Sequence, residues 1–393
     1  MRTRKDSLLP IIPASCTVLR LAARRRGRVL IGQHMSPQKP RKSWCSCCRV
    51  KAARLYFSSE PPARRMDSVD EDVEEKVEKM LNGEGLEVLD IDAVPDDVQA
   101  VTLKKNVCYI VSAVIFNAEG KVLMVQEAKR ECYGLWYLPA GRMEAGESIH
   151  EALRREVKEE TGFECEPITM LLVQEKGRQW IRFAFLAEVT GGRLKTPSEA
   201  DSESLQARWW DREASLPLRS WDIVCLIDAG LRYRQKPWFP VSHPVNLPCS
   251  VVCQRQLLIF GCEERIWLLL AKHTTDPETR TRFPVTVSQK GHSVKWPGQR
   301  LVRECMRSRD HELHVNTHGI LGVQHDGRVL GRSDGICFNT LATLERSGEG
   351  AELSSPPLLD SEGYTWHEVT DQSLKGKILR RIRDRSFLPM HSL

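Results

Sequence analysis

Apolar positions along the chain change their period several times, and each change marks a predicted element. Val69, Val73, Val77 and Leu81 recur at helical spacing behind Ser68-x-x-Glu71, a capping-box pattern, and Asn82-Gly83 ends the run. A short acidic helix is expected there, with no visible chemistry. Residues 84–103 show no period and read as a linker. Apolar runs at 106–116 and 122–126 predict two strands joined by the turn Asn117-Ala-Glu-Gly120. The stretch from Tyr133 to Gly141 predicts a loop that leads into a helix near 148–161. Strands at 169–174, 180–189 and 205–210 and a helix near 221–234 complete this unit. Pro237, Pro240, Pro244 and Pro248 then punctuate a boundary. Beyond it a similar order returns, with strands at 251–260, 266–271, 319–324, 336–344 and 364–369 and helices near 299–306 and 374–383. An α/β protein is expected, its second part a diverged copy of the first. The divisions fall at 1–65, 66–103, 104–240 and 245–393.

The helix near 148–161 carries the candidate chemistry. At about 100° per residue, Ile149, Ala152, Leu153 and Val157 define an inward stripe, and His150, Glu151, Arg154 and Lys158 fall on the solvated face. Glu156 and Glu160, however, project into the inward sector, and Glu159 borders it. Carboxylates at this spacing repel one another and resist desolvation unless a positive group joins them. A solvated charge run is the ordinary alternative, but the opposite face of the helix already supplies the free surface. A hard divalent cation suits clustered carboxylate oxygens. Ahead of the helix, Pro139-Ala140-Gly141 and Gly146 allow a tight backbone path that can bring a carbonyl oxygen to such a metal. Glu147 and Arg155 are placed to form an ion pair that shapes this loop. Together these residues predict a metal-assisted phosphate site.

The pattern Gly141-x5-Glu147-x7-Arg155-Glu-Val-x-Glu159-Glu160-x-Gly162-Phe163 resembles the Nudix box of the Nudix hydrolases, with every defined position filled. The resemblance implies an α/β/α sandwich with a mixed sheet, and hydrolysis of a nucleoside diphosphate linked to another moiety with Mg²⁺ or Mn²⁺. It also implies that Glu156, Glu159 and Glu160 are metal ligands, with the carbonyl of Ala140 a further one, and that Glu156 or Glu160 activates water. Several runs are similar to those of the MutT-homologue members that act on oxidised purine nucleotides: Lys105-Asn-Val-Cys-Tyr109, Gln126-Glu-Ala-Lys-Arg-Glu-Cys132, Trp136 to Glu144, Glu199 to Ala207 and Ser333-Asp-Gly-Ile-Cys337. Over residues 104–393 this implies cleavage of 8-oxo-dGDP, 8-oxo-GDP and 8-oxo-dADP to monophosphate and phosphate. Another X-linked diphosphate (ADP-ribose, a dinucleotide, CoA) is the alternative substrate, and a non-catalytic binding protein the alternative class. Base recognition needs a stacking aromatic and a polar edge; Trp136, Tyr137 and Trp180 are candidates for the first, and Asp201 and Glu203 for polar contact. The aromatics read equally as core residues.

The second copy loses this constellation. Leu153-Arg-Arg-Glu-Val-Lys-Glu-Glu160 aligns with Leu301-Val-Arg-Glu-Cys-Met-Arg-Ser308, so Glu159 becomes Arg307 and Glu160 becomes Ser308. Gly298 lies five residues before Arg303, whereas Gly141 lies fourteen before Arg155, leaving no metal loop. Packing, dimer contact or a lid is the expected use.

Charge separates the ends. Residues 1–65 hold sixteen Lys or Arg against Asp6 and Glu60, a local +14, which leaves −8 of the total +6 for residues 66–393. An acidic body lacks the basic face that nucleic acid requires, so a small nucleotide is the expected partner, in a monomer or homodimer. The basic segment reads as an extension or as a transit peptide, giving a cytoplasmic location with a mitochondrial alternative. No apolar run reaches the roughly 20 residues of a membrane span. Cys108, Cys225, Cys253 and Cys337 sit in apolar runs and read as core thiols of a reducing compartment, while Cys45-Ser-Cys47-Cys48 lacks a second pair for zinc.

Overall fold

A computed structural model of the chain describes residues 73–92, 98, 100–262, 265–275, 278–288, 296–306, 313–346 and 355–393. The basic segment 1–65, the proposed cap at Ser68 and Glu71, the Cys45–Cys48 group and Arg307 and Ser308 lie outside these residues. Residues 65–393 form one unit.

The N-terminal half of that unit begins with β1 (Cys108–Ile115), β2 (Val122–Glu127), β3 (Trp136–Tyr137) and β4 (Ala140–Arg142). Helix α2 (Ile149–Thr161), β5 (Phe163–Glu175), β6 (Trp180–Gly192), β7 (Ser204–Trp210) and α3 (Asp222–Gln235) follow, with α1 (Val73–Leu81) upstream of them all. β1 runs parallel to β6 and antiparallel to β4, β5 pairs with β6, and β2 lies between β3 and β7. The C-terminal half repeats this plan. β9 (Val252–Cys262) runs parallel to β14 (Ile336–Arg346) and antiparallel to β12 (Val285–Val287). β13 (Leu313–Gln324) pairs with β14, and β10 (Arg265–Thr275) takes β11 (Glu278–Arg282) and β15 (Tyr364–Glu368). Helices α4 (Trp296–Cys305) and α5 (Gln372–Arg383) stand in the order of α2 and α3.

The segment joining the halves adds a strand to the C-terminal sheet, and the C-terminal half adds one to the N-terminal sheet. The short strand β8 (Pro244–Val245), which follows the N-terminal half, pairs in parallel with β13; β16 (Met390–Ser392), at the end of the C-terminal half, pairs in parallel with β5. One continuous core follows from this exchange. Val252, Ile320, Val323, Phe338 and Met390 belong to the same buried cluster as Val111, Phe183 and Leu153. The proline-marked boundary is therefore a seam, and the apolar area shared across it binds the halves together.

Three expectations are corrected. Residues 84–92 are docked along the C-terminal half: the Arg255 guanidinium donates to the carbonyls of Leu86 and Glu87 at 2.8 Å, and Asp92 takes a bidentate pair from Arg282. A segment can lack period and still be held, because its backbone oxygens are what the neighbour grips. The acidic helix α1 likewise buries Val77, Met80 and Leu81 beside Leu374 and Ile378 of α5. His150, placed with the solvated face, is half-buried against Phe185 and His243, and Cys225, expected inside, is exposed.

Candidate active site

Helix α2 is fixed at both ends. The Ser148 hydroxyl accepts from the Glu151 N–H at 3.3 Å and the Glu151 carboxylate accepts from the Ser148 N–H at 2.7 Å, a capping box of about 1 kcal/mol. Gly162 closes the helix by donating to the Lys158 carbonyl. With Ile149, Leu153 and Val157 buried, the rotation of the helix turns Glu156 and Glu160 inward, at 6% and 2% exposure. Glu159 remains on the rim, 46% of its side chain exposed.

Gly141 explains how Glu156 fits. A Cβ on Gly141 would stand 1.9 Å from the Glu156 carboxyl carbon, so only the bare backbone of β4 leaves room for that carboxylate. Arg155 is the hub. Its guanidinium forks onto Glu147 at 2.7 and 3.0 Å, donates to the Arg142 carbonyl at 3.0 Å, and reaches Glu156 and Glu159 through one nitrogen at 2.8 and 3.1 Å. The expected Glu147–Arg155 pair is thus formed, and Arg155 also occupies the space between two of the expected ligands.

Glu160 is less well satisfied. One oxygen accepts from the Ala140 N–H at 2.9 Å, and the other has the Lys129 ammonium at 3.9 Å. Burial pushes its carboxyl well above the usual range, only partly opposed by that N–H and by Lys129. Burial also raises Glu156, against the pull of Arg155. Among the described residues no three His, Cys, Asp or Glu side chains stand ready-made to hold a metal ion. The donor set nevertheless suits one: hard oxygens, two of them desolvated, with a cationic nitrogen already drawn between Glu156 and Glu159.

Four further residues border the site without having been singled out. Glu127 is buried, its one oxygen held by Arg219 at 2.6 Å and its other without a partner, and its charge raises Glu160. The strand alternation that buries Val125 also buries Glu127, which was a readable signal. Lys129 stands 3.9 Å from both Glu160 and Glu203, so Glu203 belongs to the rim of the site. Lys195, also buried, ties the Glu159 carbonyl to Asp201 at 3.0 and 2.7 Å.

The aromatics divide. Trp136 and Tyr137 are buried in the core cluster. The Tyr137 hydroxyl donates to Asp222 at 2.9 Å, and the Arg219 guanidinium lies over its ring. Trp180 is half-buried, with Arg182 over its ring. Neither buried ring presents a free face to a base.

Comparisons with known proteins agree with this geometry. The family model described as NUDIX domain matches residues 108–225. The chain is 57% identical over 333 residues to a Danio rerio protein named 8-oxo-dGDP phosphatase NUDT18, covering 84% of this chain and all of that one. It is 42% identical to the Homo sapiens protein of the same name, over 79% of this chain and 96% of that one. A Caenorhabditis elegans putative nudix hydrolase 1 is 40% identical over 44% of this chain and half of its own length. With identity of this degree across whole relatives, the chain belongs to the Nudix hydrolase family.

Proposed function

We propose that residues 104–240 form a catalytic domain that hydrolyses oxidised purine nucleoside diphosphates, 8-oxo-dGDP and 8-oxo-GDP first among them and 8-oxo-dADP in addition, to monophosphate and phosphate. Residues 245–393 form a Nudix-like domain without a metal site. The observation that carries the reading is the desolvated pair Glu156 and Glu160, held on the inner face of α2 against the glycine backbone of β4. The names of the relatives that match over most of this chain support the substrate.

Glu156, Glu159 and Glu160, with the Ala140 carbonyl, would hold Mg²⁺ or Mn²⁺; when bound, the cation supplies charge relief to the phosphate oxygens. The residues of the chain do the rest. Arg155, locked to Glu147, keeps the loop and the carboxylates in register. Either inner carboxylate takes the proton as water adds to a phosphorus of the anhydride and the bridging P–O bond breaks. Lys129 beside Glu160 and Glu203 is placed to meet the leaving phosphate charge.

The test is a panel of ordinary and 8-oxo purine nucleoside di- and triphosphates, with and without Mg²⁺ or Mn²⁺, followed for monophosphate, phosphate and pyrophosphate. Metal-dependent conversion of 8-oxo diphosphates, lost in Glu159→Gln/Glu160→Gln, supports the reading. Inert 8-oxo nucleotides alongside cleaved ADP-ribose, dinucleotide or CoA would refute the substrate.

A further inference from the structure

The loop between β13 and β14, residues 325–335 of the C-terminal half, touches the Nudix loop of the N-terminal half. Arg328 donates to the Gly146 carbonyl at 3.0 Å and to the Glu151 carboxylate at 2.9 Å. These two acceptors flank the turn that carries Glu147. One residue earlier, Gly327 lies so close that a Cβ would stand 2.6 Å from the Glu147 carbonyl, and its φ of +70° excludes most side chains independently. The neighbouring loop is therefore pressed against the backbone of the residue that orients Arg155.

The loop that presses is itself braced. Asp334 accepts from the Gly331 N–H at 2.7 Å and from the Leu103 N–H, on the segment entering the N-terminal half, at 2.9 Å. The Tyr109 hydroxyl of β1 donates to the Asp334 carbonyl at 2.7 Å, and Tyr109 meets the His325 ring edge-on. Gly327 closes the loop by donating to the Ser333 carbonyl at 3.0 Å. A rigid abutment thus connects β1, the floor of the site, to the loop above it.

We propose that Gly327 and Arg328 are positioning residues for the catalytic loop: the C-terminal half holds Glu147 where it can orient Arg155 and, through it, Glu156 and Glu159. Arg328 is an exposed cation on an exposed carboxylate, a pairing that contributes little to stability in general. What it does here is geometric, because its planar fork spans a backbone carbonyl before Glu147 and a capping carboxylate after it. The Arg328 hydrogen bond is also the largest cause holding the Glu151 carboxyl down at about 2, so the clamp stays ionised through any physiological pH.

This inference rests on the reading that the α2 carboxylates hold the catalytic metal, so its test includes a measurement that needs no turnover. The full chain, Arg328→Ala, Arg328→Lys, Gly327→Ala and the control Arg332→Ala, which removes the same charge from the same loop, are compared by melting temperature, by Mn²⁺ titration in electron paramagnetic resonance, and by kcat and KM for 8-oxo-dGDP. R328A is expected to melt near the parent, bind Mn²⁺ more weakly and lose about tenfold in kcat, with G327A losing up to about a hundredfold as the loop is displaced. KM for the nucleotide should change far less than kcat, since neither residue touches substrate. R328K, able to reach one acceptor at a time, should recover part of the loss, and R332A should match the parent. Parent-like Mn²⁺ affinity and kcat in both R328A and G327A would overturn the inference. If the parent protein binds Mn²⁺ but leaves 8-oxo-dGDP intact, the substrate reading fails, and the Mn²⁺ titrations alone decide this one: weaker binding in R328A upholds it, unchanged binding overturns it.

Discussion

Glu156 on α2 and Glu304 on α4 follow an arginine in matching places, yet 8% of the first side chain is exposed and 45% of the second. The strands beneath them differ as well. Counted back from Phe116 and Phe260, near the ends of β1 and β9, Val111 and Arg255 occupy matching places; their antiparallel partners are Gly141 and Val285. The counterpart of Gly141 along the chain is thus Val285, eighteen residues before Arg303, and the sequence alignment on Gly298, which lies inside α4, is corrected. In the N-terminal half a bare backbone faces the helix and a carboxylate fills the gap. In the C-terminal half Val285 is buried among Cys253, Cys337, Val88 and Ile91, on the side that residues 84–92 cover, while Leu301, Val302 and Cys305 of α4 pack in a separate cluster and Glu304 stays outside. Arg255 then supplies the buried charge, donating to Gln324 at 2.6 Å, Asn339 at 2.8 Å and the Leu86 and Glu87 carbonyls. One plan of strands therefore serves two ends: an under-satisfied anionic pocket in one half, and a satisfied cationic knot that ties down an upstream segment in the other.

The contrast is most sharply tested where the carboxylates are buried. Glu156→Gln/Glu160→Gln should cut kcat by about 10²–10⁴-fold while the melting temperature, measured without metal, holds or rises, because two desolvated acids become neutral amides. Equal activity in the variant would remove the N-terminal half's claim to the chemistry. Next, Gly141→Ala should cost about a hundredfold in kcat by displacing the Glu156 carboxylate. Arg255→Ala is expected to cost about 2–4 kcal/mol in denaturant unfolding, because it removes four hydrogen bonds and leaves the Asn339 amide oxygen and the Glu87 carbonyl poorly satisfied, while the folded fraction keeps its activity. A parent-like midpoint would show that the knot holds nothing.

The smallest effect concerns acid. Burial, then His243, lowers His150 to about 4, and burial lowers His243 as well. Both take up protons near pH 6.5 once unfolded and less readily in the fold, so their contribution is complete above about 6.5 and is lost as pH falls, in the case of His150 toward about 4. Melting temperature should therefore decline between pH 6.5 and 5, and less steeply in His150→Gln; identical slopes would assign the acid sensitivity elsewhere.

Much of this was legible beforehand for a physical reason. Helical phase alone turned Glu156 and Glu160 inward and left Glu159 at the edge, since a period of 3.6 residues needs no tertiary information. The long strands announced themselves by apolar runs, and the repeat by its order. What stayed hidden depends on contacts distant in sequence. β8 and β16 are two and three residues long, too short to show a period. Residues 84–92 are held by a guanidinium from β9 through their carbonyls, which every sequence possesses. His150 obeys the helical phase but meets His243 from beyond α3, and the Gly327–Glu147 approach depends on two loops meeting across the seam.

The exchange of β8 and β16 also places a clock on synthesis. The strand that completes the edge of β5 arrives 217 residues after it, as the spacing of Ser392 and Glu175 records. At roughly 5–20 residues per second, the sheet that carries the catalytic helix waits about 10–40 s on the ribosome with β5 unpaired on that side. An open edge of that kind is a template for the wrong strand. Anything that slows or damages the C-terminal half thus prolongs the exposure of the N-terminal one, and a lesion remote from every carboxylate would appear first as insoluble protein and only afterwards as missing activity.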